Sequence, residues 1–461
     1  MVFSSILFLF RFMPAAFAIY YLVPRRFKNF TLLVLSLIFY SWGEAKYFPI
    51  MIASIVVDYT ASGLIESHRD NKLICRLGLI YSMVFNLGML GFFKYTNFFV
   101  GNLNALFGLS LPTISFVLPL GISFYTFQTM SYTIDVYLGK VKAERNIIDF
   151  GAFVVLFPQL IAGPIVRYTD INRELKERQI NLPQIQAGIK LFILGLGSKV
   201  LIANNVGALW TEIEAIGAGQ TPFHLHTAGL DGDSAYSLQI YFDFSGYSLM
   251  AIGLGKMLGF EFPKNFDFPY ISRSFGEFWR RWHMTLGAWF REYLYIPLGG
   301  NRVSKPRLYF NLFVVWAATG FWHGASWNFV LWGLFFFVTQ VVERMGFRQF
   351  LDRHRIFSHV YVIFFLLLSW ALFAVTDLGM LGDLFTRMFV PVGGVDWIYY
   401  LRNYIVVFIL GTVLSTPALK GLYLRLEKNN VFCLIFFGTI FLASTAYLVD
   451  ATYNPFLYFR F

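Results

Sequence analysis

Histidines are the first place to look for chemistry in this sequence, because the imidazole side chain exchanges protons near neutral pH. Of the seven present, His68, His354 and His359 fall in basic loops or at the edge of an apolar run, where a solvated histidine is expected. His224 and His226 form an H-x-H pair in the loop HLHTAG. Neither cysteines nor acidic residues accompany that pair at the spacing of a metal site, so we predict no bound metal.

His323 lies in the apolar stretch TGFWHGASWNFVLWGLFFF, residues 319–337, and is followed directly by Gly324. Placing an ionisable side chain at membrane depth costs several kcal/mol, and such residues usually have a function. A neighbouring glycine would allow a substrate to approach the backbone closely. The alternative is a structural histidine that donates a hydrogen bond to a carbonyl freed by a break in the helix.

His283 belongs to a different kind of segment, SFGEFWRRWHMTLGAWFREYLYIPLGGNR, residues 274–302. Arginines alternate there with tryptophans and tyrosines. One interpretation is an amphipathic helix at the membrane surface, with its arginines on lipid head groups. The other is a vestibule on the cytoplasmic side, whose arginines hold a phosphorylated donor, because the guanidinium fork matches phosphate geometry. Composition does not separate the two.

The composition of the chain is that of a protein that crosses the membrane many times. Of 461 residues, 57% are hydrophobic, 20% aromatic and only 14% charged, with a mean hydropathy of +0.59. These values exclude a large soluble domain and favour about ten membrane crossings joined by short loops. Cys75 and Cys433 lie far apart in sequence and suggest no disulfide framework.

The net charge of +11 comes mainly from basic clusters in loops, so we assign it to membrane topology and expect no nucleic-acid partner. Such clusters follow alternate apolar runs, whereas the intervening loops are neutral or acidic. The pattern places both termini outside the membrane. The ten runs cover approximately residues 2–22, 29–43, 47–65, 77–94, 112–137, 186–207, 235–258, 356–376, 402–418 and 431–450.

Two further apolar stretches, 147–166 and 308–342, have basic clusters at both ends. Equal flanks imply an even number of crossings, so each is predicted to be a re-entrant hairpin. Irregular backbone is tolerated within a membrane only where protein buries it or water lines it. The second hairpin would place His323 at its apex, deep in the membrane.

Several long motifs resemble those of the membrane-bound O-acyltransferases, in the bacterial branch of alginate O-acetyltransferase, peptidoglycan O-acetyltransferase and the teichoic acid D-alanyl transfer protein. RRWHMTLGAWFREYLYIPLGGNR is followed by TGFWHGASWNFVLWG. Before them come LPLGISFYTFQTMSYTIDVY, LFPQLIAGPIVRY and QIYFDFSGYSLMAIGLGKMLGFEFPKNFDFPY. The resemblance therefore covers most of the chain.

The resemblance implies an all-α membrane domain over residues 1–461, with ten to twelve transmembrane helices and the two hairpins around a central tunnel. The near-invariant histidine of the family falls on His323, and its second motif histidine on His283. Two positions depart from the family pattern, since Leu249 follows SGYS where an acid is common and Glu292 replaces an aspartate. The donor is expected to bind to residues of the arginine-rich segment and to one residue of the second motif: Arg280, Arg281, Trp282, Arg291 and Asn328.

The activity implied is transfer of an acetyl group from cytosolic acetyl-coenzyme A, without a metal, to an exported or cell-envelope polysaccharide. Membrane lipids would surround the protein, and an esterase-like extracytoplasmic partner would complete the transfer. Two rival functions are a transporter or flippase for an envelope glycan or lipid, with His323 as a proton relay, and a lipid O-acyltransferase. A transporter would be expected to show internal repeats, which the sequence lacks.

The last apolar run and the tail, residues 431–461, end in NPFLYFRF. The basic loop before this run predicts that the tail emerges on the outer face. Its aromatic residues could simply form a belt at the membrane surface. However, the pattern around Tyr458 is similar to the C-terminal motif of a small peptide that accompanies D-alanyl transfer. That similarity implies that Tyr458 carries the acyl group as a phenyl ester.

Overall fold

The computed structural model describes residues 1–215, 229–389, 396–450 and 456–457. Within these ranges the regular secondary structure is entirely helical. Most of the chain therefore satisfies its backbone hydrogen bonds within its own segment, as a lipid environment requires. The helices are α1 Met13–Leu22, α2 Lys28–Glu44, α3 Phe48–Ser67, α4 Lys72–Leu90, α5 Thr96–Phe107, α6 Ile122–Tyr137, α7 Ile147–Val155, α8 Phe157–Leu160, α9 Tyr168–Glu177, α10 Leu182–Gly197, α11 Asn204–Ala215, α12 Gly229–Leu258, α13 Phe275–Phe278, α14 Met284–Phe290, α15 Lys305–His323, α16 Trp327–Val342, α17 Arg348–Arg353, α18 Arg355–Ala374, α19 Leu378–Phe389, α20 Asp396–Leu414, α21 Lys420–Leu426 and α22 Asn430–Asp450.

Each of the ten predicted apolar runs contains a helix, but two helices begin well inside their runs. In the first run α1 begins at Met13, after the π-helical turn Phe8–Phe12. The run from residue 112 becomes helical only at Ile122, the first residue of α6. Pro112 and Pro119 lack the backbone N–H that a helix interior needs, and Gly121 has a left-handed φ of 74°. A Cβ atom on Gly121 would lie 2.6 Å from the carbonyl oxygen of Leu160, so glycine is required there.

Six described helical segments are long and apolar enough to cross a membrane, and a bent pair over residues 398–426 raises the number to seven. On these criteria the structure supplies six or seven candidate spans, and the number of ten to twelve stays a prediction. Helices α2 and α6 contain only 17 and 16 residues, whereas α12 has 30 residues but many polar side chains. The arrangement of the spans around a central tunnel stays a prediction.

The chain divides into two compact units, and the first comprises residues 1–192 and 250–263. Helices α3, α4 and α6 pack together there around the buried carboxyl group of Asp58. The stretch 147–166, predicted to be a re-entrant hairpin, contains two short helices, α7 and α8, of nine and four residues, and its re-entry stays a prediction. Both are buried by the protein, which is the condition under which a broken segment is tolerated in a membrane.

The second unit comprises residues 193–249 and 264–461. Its segment 308–342 consists of two packed helices, α15 and α16, joined by a three-residue turn, and the re-entry of this pair into the membrane stays a prediction. His323 is the last residue of α15 and therefore lies at the apex. Residues 274–302 do not form one amphipathic helix. They break into α13, α14 and a π-helical turn over Arg291–Tyr295.

Candidate active site

Close packing of the α15–α16 hairpin fixes the position of His323. A Cβ atom on Gly320 would lie 2.4 Å from the Phe329 carbonyl oxygen, and one on Gly333 would lie 2.5 Å from that of Trp316. Real Cβ atoms do not approach so closely, so these glycines allow the two helices to approach each other's backbone. The side chain of His323 is 6% exposed at the end of this rigid element.

Aromatic rings surround His323. The rings of Trp332 and Phe373 contact it edge-on, with centroid distances of 5.0 and 5.2 Å. Asn328 is fully buried, and its amide nitrogen donates to the carbonyl oxygens of Leu372 and Phe373, each at 3.2 Å. Asn328 therefore ties α16 to the end of α18 and sets the position of one of the rings that contact His323.

His323 faces a small cavity of about 20 Å³, which is enough for one water molecule. Its wall is almost entirely apolar, apart from His323 itself and one carboxylate. The wall also includes a residue from the C-terminal tail, so the cavity brings together side chains from distant parts of the sequence. The lining residues are Ile240, Asp243, Phe244, Trp282, His323, Trp332, Trp370, Phe373 and Leu457.

The carboxylate in the wall belongs to a buried ion pair. Asp243 Oδ1 lies 2.7 Å from Lys199 Nζ, and the two side chains are 2% and 3% exposed. Lys199 also donates to Asn204 Oδ1 at 2.7 Å. The other oxygen of Asp243, Oδ2, accepts a hydrogen bond of 2.9 Å from the backbone N–H of Leu457. The pair thus joins α12 to the C-terminal tail.

His283 is held by a separate set of hydrogen bonds centred on Asn265. Oδ1 of Asn265 accepts from the backbone N–H and the hydroxyl of Thr285, at 3.3 and 2.9 Å. Its amide nitrogen donates to Ser248 Oγ at 3.0 Å. Because Oδ1 is an acceptor, His283 Nδ1, 3.2 Å away, must carry the proton. Burial lowers the pKa of His283 to about 3, so the ring is neutral and its Nε2 has a lone pair.

The two histidines do not line the same cavity. His283 adopts a left-handed backbone conformation with φ of 43° at the start of α14. Its ring packs edge-on against Phe244, at a centroid distance of 4.7 Å, and Phe244 in turn lines the cavity of His323. The ring of Phe244 therefore lies between His283 and the cavity.

Of the five predicted donor-binding residues, Asn328 donates to α18 as described above, and the other four fall into three groups. Trp282 is buried and lines the cavity. Arg280 and Arg291 are exposed on the surface of this segment. Arg281 forms ion pairs with Glu277 at 3.0 Å and with Asp267 at 3.6 Å.

Some predicted residues cannot be placed, and others were missed. Tyr458, His224 and His226 lie outside the described residues. Lys199 and Asp243, by contrast, line or support the cavity without having been predicted. Their signal was present in the sequence, because each is a charged residue within an apolar run. Asn265 carried no such signal, since an isolated asparagine in a loop is common.

Comparison with known proteins identifies the family of this chain. Residues 141–372 match the membrane-bound O-acyltransferase family. A protein named probable alginate O-acetylase from Azotobacter vinelandii is 40% identical over 84% of this chain and 78% of its own length. The protein of the same name from Pseudomonas putida is 36% identical over the whole of both chains. The peptidoglycan O-acetyltransferase of Helicobacter pylori is 35% identical over 82% of this chain and 78% of its own. The chain is therefore a multi-pass membrane protein and an O-acyltransferase that belongs to the membrane-bound O-acyltransferase family.

Proposed function

We propose that this enzyme moves an acetyl group from cytosolic acetyl-coenzyme A through a tunnel in a bacterial plasma membrane, for O-acetylation of an exported or cell-envelope polysaccharide. In this proposal an extracytoplasmic esterase-like protein makes the final transfer. The names of the relatives support the acceptor class, because they include acetylases of alginate and of peptidoglycan. Membership of an acyltransferase family removes the basis for the transporter alternative.

The observation that carries the proposal is that His323 and Leu457 of the tail line the same enclosed cavity. A general base must lie within reach of the proton that it removes. Tyr458 is the next residue after Leu457 in the chain.

In the first step, the Tyr458 hydroxyl attacks the thioester carbonyl while neutral His323 removes its proton. Such base catalysis is worth about 10²–10⁴-fold. A carbon–oxygen bond forms, the carbon–sulfur bond breaks, and the proton passes from His323 to the departing coenzyme A thiolate. The product is an acetyl ester of the phenol. Its leaving group is better than that of an alkyl ester, which favours the second transfer to the outside partner.

The negative charge that develops on the carbonyl oxygen needs a donor, and Trp332 is suited to provide it. This tryptophan is 1% exposed and its ring lines the cavity. Its indole N–H has no hydrogen-bond partner among the described residues. A buried indole usually has a partner, so a vacant donor beside the base is consistent with an oxyanion site.

The tautomer of His283 suits it to accept a hydrogen bond and not to stabilise the oxyanion. An oxyanion donor would need a proton on Nε2, whereas the hydrogen bond to Asn265 places the proton on Nδ1. We therefore assign His283 an accepting role, close to the donor entrance. Exposed Arg280 and Arg291 would attract the phosphates of coenzyme A, with the indole of Trp282 in the path of the acetyl group.

The test is to incubate membranes with radiolabelled acetyl-coenzyme A and determine the mass of the C-terminal peptide. The natural protein should gain one acetyl group on that peptide, and the Tyr458→Phe variant should gain none. The phenylalanine ring retains the packing of an aromatic belt and removes only the nucleophile. Normal polysaccharide acetylation by Tyr458→Phe in cells would refute the relay.

A further inference from the structure

The buried Lys199–Asp243 pair is an unexpected feature of an apolar site. Removing two charges from water costs several kcal/mol per ion, and well-packed apolar residues in place of such a pair often leave a protein equally stable. Stability alone therefore does not account for it. The turn that carries Lys199, Ser198–Ala203, is π-helical, a geometry that often occurs at functional sites.

The geometry of the carboxylate indicates what the pair does. Oδ1 of Asp243 contacts the ammonium group of Lys199, at 2.7 Å, and Oδ2 accepts the N–H of Leu457, at 2.9 Å. Lys199 is itself held by Asn204. The ion pair fixes the rotamer of Asp243, so that one oxygen points at the backbone of the tail.

A second contact fixes the register of the tail. Phe456 is 5% exposed and stacks on Tyr247 of α12, with ring centroids 4.6 Å apart. Tyr247 lies one helical turn after Asp243. Two successive tail residues are therefore held by two positions on one face of α12, the first through its side chain and the second through its N–H.

We propose that Asp243, oriented by Lys199, is a positioning residue that anchors the C-terminal tail at the N–H of Leu457 and so determines which tail residue reaches His323. Asp243 binds a backbone N–H and not a side chain, so the contact fixes the position of the tail relative to α12 and does not select a residue type. The effect of the anchor on acetyl transfer rests on the acyl relay proposed above. The docking of the tail does not, and it can be measured independently of acetyl transfer.

Cross-linking measures the docking directly. The variant carries Tyr247→Cys and Phe456→Cys, together with Cys75→Ala and Cys433→Ala to remove the natural thiols. A short bifunctional thiol reagent should join the two introduced cysteines. Leu457→Pro removes the N–H donor and leaves Asp243 and Lys199 in place. We expect it to lower the cross-linking rate at least fivefold with an unchanged melting temperature. The matched control, Leu457→Ala, keeps the N–H and should retain at least half of that rate.

Coupling between the two partners separates the anchor from a general effect of proline. Asp243→Asn keeps an acceptor oxygen but weakens its charge-assisted bond, and should lower cross-linking severalfold in the natural tail. It should have no further effect in the Leu457→Pro background. Equal, additive losses in both backgrounds, or a Leu457→Pro tail that cross-links at the natural rate, would overturn the proposal.

The acetylation of the tail peptide completes the test. If the anchor sets the register, acetylation of that peptide should fall at least tenfold in Leu457→Pro and by a clearly smaller factor in Leu457→Ala, which trims the cavity wall but keeps the N–H. An equal fall in the two variants would show that the side chain of Leu457, and not its N–H, positions the tail. If Tyr458→Phe proves fully active, the acyl relay is wrong, but the cross-linking result still decides whether Asp243 docks the tail.

Discussion

Asp58 and Asp243 are both buried carboxyl groups in apolar helices, one in each unit, and their partners differ in kind. Asp58 is 0% exposed and accepts hydrogen bonds from Ser82, Asn86 and Thr133, all neutral side chains of neighbouring helices. Asp243 instead pairs with a lysine and with the backbone of the tail. The first group joins three helices, whereas the second faces a cavity and a segment from the end of the chain.

The difference shows that an ionisable residue in an apolar run is an ambiguous signal. Burial is nearly the same at Asp58 and Asp243, so burial does not identify function. A carboxyl group whose oxygens are satisfied by fixed helices has a structural role. One that shares a cavity with a histidine and holds a terminal segment is positioned to take part in chemistry.

The largest expected effect contrasts His323→Ala with Asp58→Asn. His323→Ala should reduce acetyl transfer to below about 1% with an unchanged amount of folded protein, because it removes the base. Asp58→Asn keeps the shape and most hydrogen bonds of a structural group, so transfer should stay within about threefold while the melting temperature falls. Activity and thermal melting of purified protein measure both. Transfer above a few per cent in His323→Ala would exclude its role as base.

Trp332→Phe should have the next largest effect. Phenylalanine retains the aromatic contact with His323 but removes the indole N–H. Loss of one oxyanion donor typically lowers kcat about 10²–10³-fold. The effect should appear in kcat with KM for acetyl-coenzyme A nearly unchanged, because the charge exists only in the transition state. A variant with natural kcat would show that the indole only packs.

A glycine in each unit sharpens the comparison at the level of packing. At Gly320 an added Cβ meets the Phe329 carbonyl oxygen at 2.4 Å, whereas at Gly63 on α3 it meets no atom within 4 Å. Gly320→Ala should separate α15 from α16, displace His323 and lower transfer about tenfold or more. Gly63→Ala should leave activity unchanged and slightly raise stability, by up to ~1 kcal/mol. Equal effects of the two variants would show that the hairpin does not depend on close packing.

The sequence predicted the helices and the break beside His323, because hydropathy marks apolar runs and glycines mark where they are interrupted. It did not predict the cavity. Lys199 and Leu457 are separated by more than 250 positions, and no local pattern indicates that Asp243 joins them. The Asn265 network was missed for a similar reason, because its acceptor role depends on the left-handed turn at His283. Periodicity describes elements, whereas these contacts depend on tertiary packing.

The smallest effects are expected in the arginine segment, where exposure separates otherwise similar residues. Arg281 is engaged with Glu277 and Asp267, so Arg281→Ala should mainly lower stability. Arg280 and Arg291 are exposed, and replacing either with alanine should raise KM for acetyl-coenzyme A about three- to tenfold without changing kcat. An exposed guanidinium is accessible to a phosphate group, whose geometry its planar fork matches.

The exposed position of Arg291 can be used to test from which side of the membrane the donor binds. A cysteine in place of Thr285 would be buried beside Asn265 and would not react with the reagent. Arg291→Cys, in contrast, places a thiol on the surface. In a background without Cys75 and Cys433, a membrane-impermeant maleimide should label this thiol in inside-out vesicles and not in intact cells. Acetyl-coenzyme A, or coenzyme A alone, should slow the labelling if the phosphates bind beside it. Labelling from the outside would reverse the topology and remove the cytosolic donor, because the positive-inside argument and the arginine site require the same orientation.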